Sequence, residues 1–152
     1  MFRLSKKADY GLLALGYMAR SPQTEWVKVD EIAAHHAIPT EQLCKVMQDL
    51  ARAGLVEAQI GRNGGYRQTR DIHAMSVFEV VRAVDGDIAL VQCLSDPMVD
   101  CEQYDECTIR EAAQRLQDKV AQFMGQFTVA EITGLAAPEM STSHEHDKRR
   151  WD

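Results

Sequence analysis

A proline sets the geometry of the first half of this chain. Ile38-Pro39-Thr40 lies between two stretches with helical spacing, and a proline disfavours helical geometry in the residue before it. Residues 29–37 and 40–53 must therefore be two helices meeting at a tight turn. The first turns Ile32 and Ala33 inward, and the second carries Leu43, Val46, Met47 and Leu50 at i, i+3, i+4, i+7. Gly54 supplies a left-handed stop. The outward face of the second helix is polar throughout: Thr40, Glu41, Gln42, Lys45, Gln48, Asp49 and Arg52. Such a pair is a helix-turn-helix or an ordinary helical hairpin, and the residues that follow separate the two. Residues 55–60 alternate, with Val56, Ala58 and Ile60 on one face; Gly61-Arg62-Asn63-Gly64-Gly65 is a tight turn, and residues 66–69 return. A helix-turn-helix followed at once by a hairpin is a winged helix. In that geometry the N-terminal end of the second helix enters the major groove, which makes Thr40, Glu41, Gln42 and Lys45 candidate base-edge and backbone contacts. Arg62 and Asn63 at the hairpin tip, with Arg67 and Arg70 behind, are placed for phosphates or the minor groove.

Charge supports that division of labour once the chain is split. The formal net charge is −6 over 152 residues, which on average disfavours a polyanionic partner. Residues 1–70, however, carry ten Lys/Arg against seven Asp/Glu, a sum of +3; residues 71–152 carry seven against sixteen, a sum of −9. A mildly basic front and an acidic back fit a DNA-contacting unit joined to a sensing or assembly unit. Neither a signal peptide nor an apolar run long enough to span a bilayer is visible, so a cytoplasmic protein without a membrane partner is expected.

Flanking elements follow from the same reasoning. Residues 5–20 read as a helix capped by Ser5, with Ala8, Leu12, Leu15 and Ala19 as its inner stripe. Leu13, Tyr17 and Met18 add apolar surface beyond what one core requires, as if for a partner chain. Ser76 and Glu79 form a capping box ahead of Val77, Val80, Val81 and Val84. Residues 108–127 are the longest helix, and Ile109, Ala113, Leu116, Val120, Phe123 and Phe127 recur at steps of four, three, four, three, four. That is a heptad seam, the pattern of one helix lying along another, and it predicts a homodimer. Thr128 with Glu131 repeats the capping box, and from residue 135 a disordered tail is expected.

Three of the four cysteines crowd one polar segment, Cys93-x7-Cys101-x5-Cys107. Buried structural cysteines usually sit singly on apolar faces, so three on one flexible loop suggest a ligand, with a disulfide pair and one spare thiol as the alternative. Thiolate donors favour iron–sulfur or zinc, and metal, pH and redox state then couple to local folding. Three donors leave a closed site one short. Cys44, beside Leu43, reads as a small buried hydrophobe.

The order of elements, with Ala8-Asp9-Tyr10-Gly11, Arg52-Ala-Gly-Leu-Val56 and Gly61-Arg-Asn-Gly-Gly-Tyr66, resembles the Rrf-type family of bacterial winged-helix regulators, which includes IscR-, NsrR- and SufR-like proteins. The resemblance covers residues 1 to about 134. It implies a dimeric regulator whose iron–sulfur cluster sits on Cys93, Cys101 and Cys107, with a two-iron form favoured and a four-iron form or zinc as alternatives. Two departures stand out. The first gap is seven residues where five is commonest in the family, and Arg110 occupies the place of an IscR-type histidine ligand. NsrR-like proteins use an aspartate of the N-terminal helix from the other subunit, which makes Asp9 the candidate fourth ligand. His35, His36, Asp100, Glu102, Asp105 and Glu106 are the alternatives.

The fold expected is mainly α with a small β-wing: a winged helix-turn-helix plus a long C-terminal dimerisation helix. Residues 1–75 form the DNA-binding domain, 76–134 the cluster loop and dimerisation region, and 135–152 the tail. The function expected is a homodimeric transcription regulator, a repressor on double-stranded operator DNA, sensing iron–sulfur status, nitric oxide or redox stress. Its alternative is the same winged helix with structural zinc or a thiol-only switch. An enzyme is not expected, because no Cys-x-x-Cys, nucleophile–base spacing or cofactor loop appears.

Overall fold

The computed structural model describes residues 3–95 and 101–135. The elements run α1 (Lys6–Met18), α2 (Val29–His36), α3 (Thr40–Arg52), β1 (Val56–Gln59), β2 (Gly65–Gln68), a 3₁₀ turn (Ile72–Ala74), α4 (Val77–Asp85), α5 (Gln92–Ser95), α6 (Arg110–Gln126) and α7 (Val129–Ile132). This is the winged-helix arrangement. Of the expected tail, residues 136–152 lie outside the described residues, as does Asp100 among the candidate ligands.

Ser5 starts α1 by accepting the Ala8 N–H at 3.1 Å, a cap worth about 1 kcal/mol. Ala8, Leu12 and Leu15 face the core as expected. Met18 does too, so it is not part of a surplus face; Leu13 remains exposed. Gly11 lets α4 come close, since a Cβ there would meet a Val80 methyl at 3.2 Å. At the turn between α2 and α3 the chain reverses through Ala37 in the left-handed region (φ 52°), whose N–H donates to the Ala33 carbonyl. Ile38 N–H reaches the same carbonyl at 3.0 Å, and the Ile38 side chain is buried. Leu43, Val46, Met47 and Leu50 of α3 are all buried, and Gly54 (φ 75°) follows the helix end.

In the wing, β1 and β2 pair antiparallel from Val56↔Gln68 to Gln59↔Gly65. Of the face formed by Val56, Ala58 and Ile60, Val56 is buried, Ala58 is exposed, and Ile60 lies beyond the strand at 99% exposure. Past Val56 the side chains of β1 are exposed, whereas β2 stays against the body through Tyr66. Two of its glycines are sterically required. A Cβ on Gly64 would sit 2.1 Å from the Gln59 carbonyl oxygen, and one on Gly65 (φ 155°) 2.4 Å from that of Val27. The root of the wing is pinned by Val27, which bridges to Tyr66, and by buried Gln68, whose Nε2 donates to the Leu15 carbonyl at 2.9 Å.

Both capping boxes form, Ser76 with Glu79 and Thr128 with Glu131, and Ser76 and Thr128 are themselves bridged. Val77 N–H donates to Phe127 and Val129 N–H to Met75, each at 2.8 Å. The far end of α6 is thereby stitched to α4. One core runs from Ala8 through α3 and α4 to Ala130, crossing residue 75 without a break. In α6 only Met124 is buried. Ile109, Leu116, Phe123 and Phe127 of the seam stay 62%, 55%, 61% and 43% exposed, while Val120 rests partly on the chain's own core, so most of the seam is left uncovered.

Candidate functional site

Two surfaces carry the chemistry. On the first, α3 presents Thr40, Glu41, Gln42 and Lys45, all exposed. Lys45 Nζ lies 2.9 Å from Glu41 Oε1 one helical turn away, and its hydrogen bond and charge hold the Glu41 carboxyl below the usual carboxylate range. A pair this exposed opens readily, so Lys45 remains available to a phosphate. Arg62 and Asn63 project from the wing tip, exposed and without an ion-pair or hydrogen-bond partner among the described residues. Arg67 is placed differently. Its guanidinium stacks 4.4 Å from the centre of the Trp26 ring and pairs with Glu57 at 2.7 Å. It holds the wing to the loop before α2, and nucleic-acid contact would compete with that clamp. Arg70 is likewise engaged, by Glu79. Of the expected cations, Lys45 and Arg62 are the ones left at the surface for a ligand.

The second surface is the cysteine segment. Cys93 lies on the short helix α5, which the sequence reading took for flexible loop; Cys101 and Cys107 flank a run of turns leading into α6. All three are free and half-buried. The approach is tied to α6 by Leu90 N–H donating to Gln117 Oε1 at 3.2 Å. Cys107 lines a groove of about 590 Å³ with Leu94, Tyr104, Arg110 and Gln114. The Arg110 guanidinium lies 4.4 Å from the centre of the Tyr104 ring. Hydrogen bonding to Tyr104 holds its proton more firmly, and the charges of Tyr104, Cys93 and Cys107 add to that. The fit to a sulfur-ligated metal group lies in this donor set: three free thiols with a cation beside two of them. Among the described residues no three His, Cys, Asp or Glu side chains converge as a ready grip for a metal ion.

Asp9 is exposed on α1 and lines a different groove, with Leu13, Tyr17, Arg20 and His36. Of the alternative ligands, His35 stacks on Tyr17 with ring centres 4.9 Å apart. His36 turns its Nε2 inward with no hydrogen-bond partner. Burial, then the charges of His35 and Arg20, lower its pKa and favour the neutral ring. Glu102, Asp105 and Glu106 are exposed. Cys44 is half-buried rather than fully buried as expected, and stands near enough to Tyr66 to raise the phenol's pKa, after burial. Sequence reasoning missed the Trp26–Arg67 and Tyr104–Arg110 stacks, since neither pair has a spacing that marks it as a contact.

A sequence profile described as Rrf2, iron-dependent transcriptional regulator, matches residues 4–134. This chain belongs to the Rrf2 family. It is 29% identical over 139 residues to Protein aau3 of Rhizobium meliloti, covering 91% of this chain and 89% of that protein. With the HTH-type transcriptional regulator NsrR of Shouchella clausii it shares 28% identity over 130 residues, 86% of this chain and 87% of the relative. Two solved structures share the fold. CymR (YrzC), the global cysteine regulator of B. subtilis, superposes with a TM-score of 0.65 at 23% identity, covering 90% of this chain and all of that one (100%). T. potens IscR does so with 0.63 at 18%, covering 93% and 94%. The Rrf2 membership makes the chain a winged-helix transcription regulator. No described helix is long and apolar enough to cross a membrane.

Proposed function

We propose that this Rrf2-family regulator acts as a homodimer on a near-palindromic double-stranded operator, as a cytoplasmic repressor with no catalytic activity of its own. Residues 1–75 contact DNA and residues 76–134 sense and dimerise. Thr40, Glu41, Gln42 and Lys45 of each copy enter successive major grooves, roughly 34 Å apart, with Arg62, Asn63 and, once released from its clamp, Arg67 on the backbone. Cys93, Cys101 and Cys107 hold an iron–sulfur cluster, two-iron in the favoured form, and Asp9 of the partner subunit completes the ligand set. When bound, such a cluster supplies a centre that reacts with oxidants or nitric oxide, and its loss reports iron–sulfur status.

One observation carries the reading. Cys107 lies three residues before the helix that presents an exposed apolar seam, and the approach to Cys93 is tied to the same helix through Gln117, so a group held by these thiols would adjoin the proposed assembly surface. Within the chain, Gln117 positions the segment from α6 and Arg110 sets its charge. An oxygen ligand from Asp9 would be weaker than sulfur and would bridge two copies, linking ligand loss to the spacing of the two α3 helices.

The test is anaerobic purification followed by a visible spectrum, iron, acid-labile sulfide and zinc counts, and operator affinity with and without metal. Iron matched by sulfide, lost in Cys93→Ala, with operator affinity that depends on it, is the expected result. The second reading, structural zinc or a thiol-only switch, draws on the three free, half-buried thiols themselves. Zinc without sulfide, or a metal-free chain whose affinity follows thiol oxidation, would establish it instead.

A further inference from the structure

To sequence reasoning Arg110 is only a place where a histidine is missing. The structure gives it a setting of its own. It is the first residue of α6, and its side chain is not spent on a carboxylate: among the described residues it has no ion pair of the kind that occupies Arg52, Arg67, Arg70 and Arg82. Instead the guanidinium lies against the Tyr104 ring. Tyr104 is placed by a turn in which its N–H donates to the Cys101 carbonyl at 2.9 Å. The residue that holds the cation is thus itself held by one of the cysteines. Cys107 and Arg110 line the same groove, beside Leu94, the neighbour of Cys93.

We propose that Arg110, clamped by Tyr104, is the positioning residue of this site: a fixed positive charge set in the groove that Cys107 lines and next to the neighbour of Cys93. It opposes the acidic residues Glu102, Asp105 and Glu106 of the same segment, whose charge alone would resist any electron added there. In the metal-free chain the charge draws anionic reagents to these two sulfurs. In the loaded protein, a part of the proposal that rests on the cluster reading, it makes the uptake of one electron from an external one-electron reductant easier.

The experiment has two arms on the full chain. In the first, reduced metal-free protein is treated with iodoacetate or iodoacetamide, and the rate at each cysteine is read by peptide mass spectrometry. Both reagents attack the thiolate, so the ionised fraction cancels in the ratio of their rates and the local charge remains. R110Q should lower the ratio at Cys93 and Cys107 by about threefold, the effect of one charge a few ångström away in a solvated groove. Cys44 should not change, R110K should restore the ratio, and Y104L should lower it by freeing the guanidinium. In the second arm, R110Q in the loaded protein should make reduction about tenfold harder, a midpoint lower by ~59 mV for one electron, with iron and sulfide per chain unchanged. Ratios in R110Q equal to wild type, or lowered equally at Cys44, overturn the proposal. If the wild type takes up no iron and sulfide, the cluster reading fails, while the alkylation ratios still decide the role of Arg110.

Discussion

Phe123 is the sharpest test of the apolar seam. Its side chain is 61% exposed and its ring lies 5.1 Å from that of Phe127, which is itself 43% exposed. An aromatic side chain offers 150–250 Å² for burial, so in the proposed dimer roughly 120 Å² of Phe123 is available for a second copy to cover. At about 25 cal/mol per Å² that is roughly 3 kcal/mol per chain and, by symmetry, about 6 kcal/mol per dimer if the cover is complete. Half-complete cover leaves about 3 kcal/mol, and Phe123→Ala should then weaken the dimer about a hundredfold. Sedimentation equilibrium over a range of concentrations measures it. Because the ring is already exposed within its own chain, the thermal stability of the monomeric form should barely change. Gln122→Ala, exposed and off the seam, is the control. A Phe123→Ala protein that dimerises as tightly as wild type would show that the seam is not the contact.

Three further outcomes are expected. Ala37 is the one described non-glycine residue with positive φ, and a β-carbon there costs about 1–2 kcal/mol. Ala37→Gly should therefore raise stability by roughly 1 kcal/mol, less the entropy that glycine adds to the unfolded chain, seen as a melting temperature a few degrees higher. Arg62→Ala should weaken operator binding and reduce the salt slope by about one per copy without changing stability, whereas Arg67→Ala should also lower the melting temperature, because it removes the clamp on Trp26 and Glu57; a salt slope unchanged in Arg62→Ala removes the wing tip from the interface. Burial pushes the Glu79 carboxyl up, but the Ser76 backbone N–H, Arg70 and the Ser76 hydroxyl outweigh it and hold the pKa below its ordinary value. Its contribution is thus present above about pH 4.3 and lost as pH falls through the lower folded value; Glu79→Gln should be less stable than wild type at pH 7 and converge with it as the acid limb is descended, and parallel melting curves from neutral to acid pH would contradict the assignment.

What the sequence made legible was whatever depends on near neighbours. The proline turn, the α3 stripe, both capping boxes and Gly54 each involve residues within one or two turns, where spacing and local chemistry determine the outcome. Alternation reports a face without saying whether anything packs on it, so it did not show that β1 is exposed past Val56. The boundary of the flexible loop failed for a related reason: Gln92–Ser95 is a single helical turn, too short for any periodicity to register. The site divides the same way. Lys45 and Arg62 stand where helix and turn geometry put them, but Arg67 and Arg110 have roles set by Trp26 and Tyr104. In Arg67 the partner lies 41 positions away in the chain, so the stack is a tertiary fact. Tyr104 and Arg110 lie closer, yet across turns whose shape is not written in any repeat.

Under the proposed function, a change at the cysteines has two routes to DNA, of different stiffness. Cys107 lies three residues before α6, and a displacement there moves the start of that helix. One route runs along the exposed seam into a second copy, where it alters the distance between the two α3 helices. The other stays within the chain, from Met124 and the Phe127–Val77 hydrogen bond into α4, then across Gly11 into α1 and α3. Contiguity alone does not establish coupling, but rigidity discriminates between the two. The inner route crosses the close approach of α1 and α4 at Gly11, where an added Cβ would stand 3.2 Å from a Val80 methyl, and the helix α3 beyond it is anchored by four buried side chains. A close-packed core of this kind shifts as a body or not at all. The seam has no such constraint within one chain. Signal transmission by a change in how two rigid winged helices are spaced therefore demands less of this fold than a change in the shape of either one.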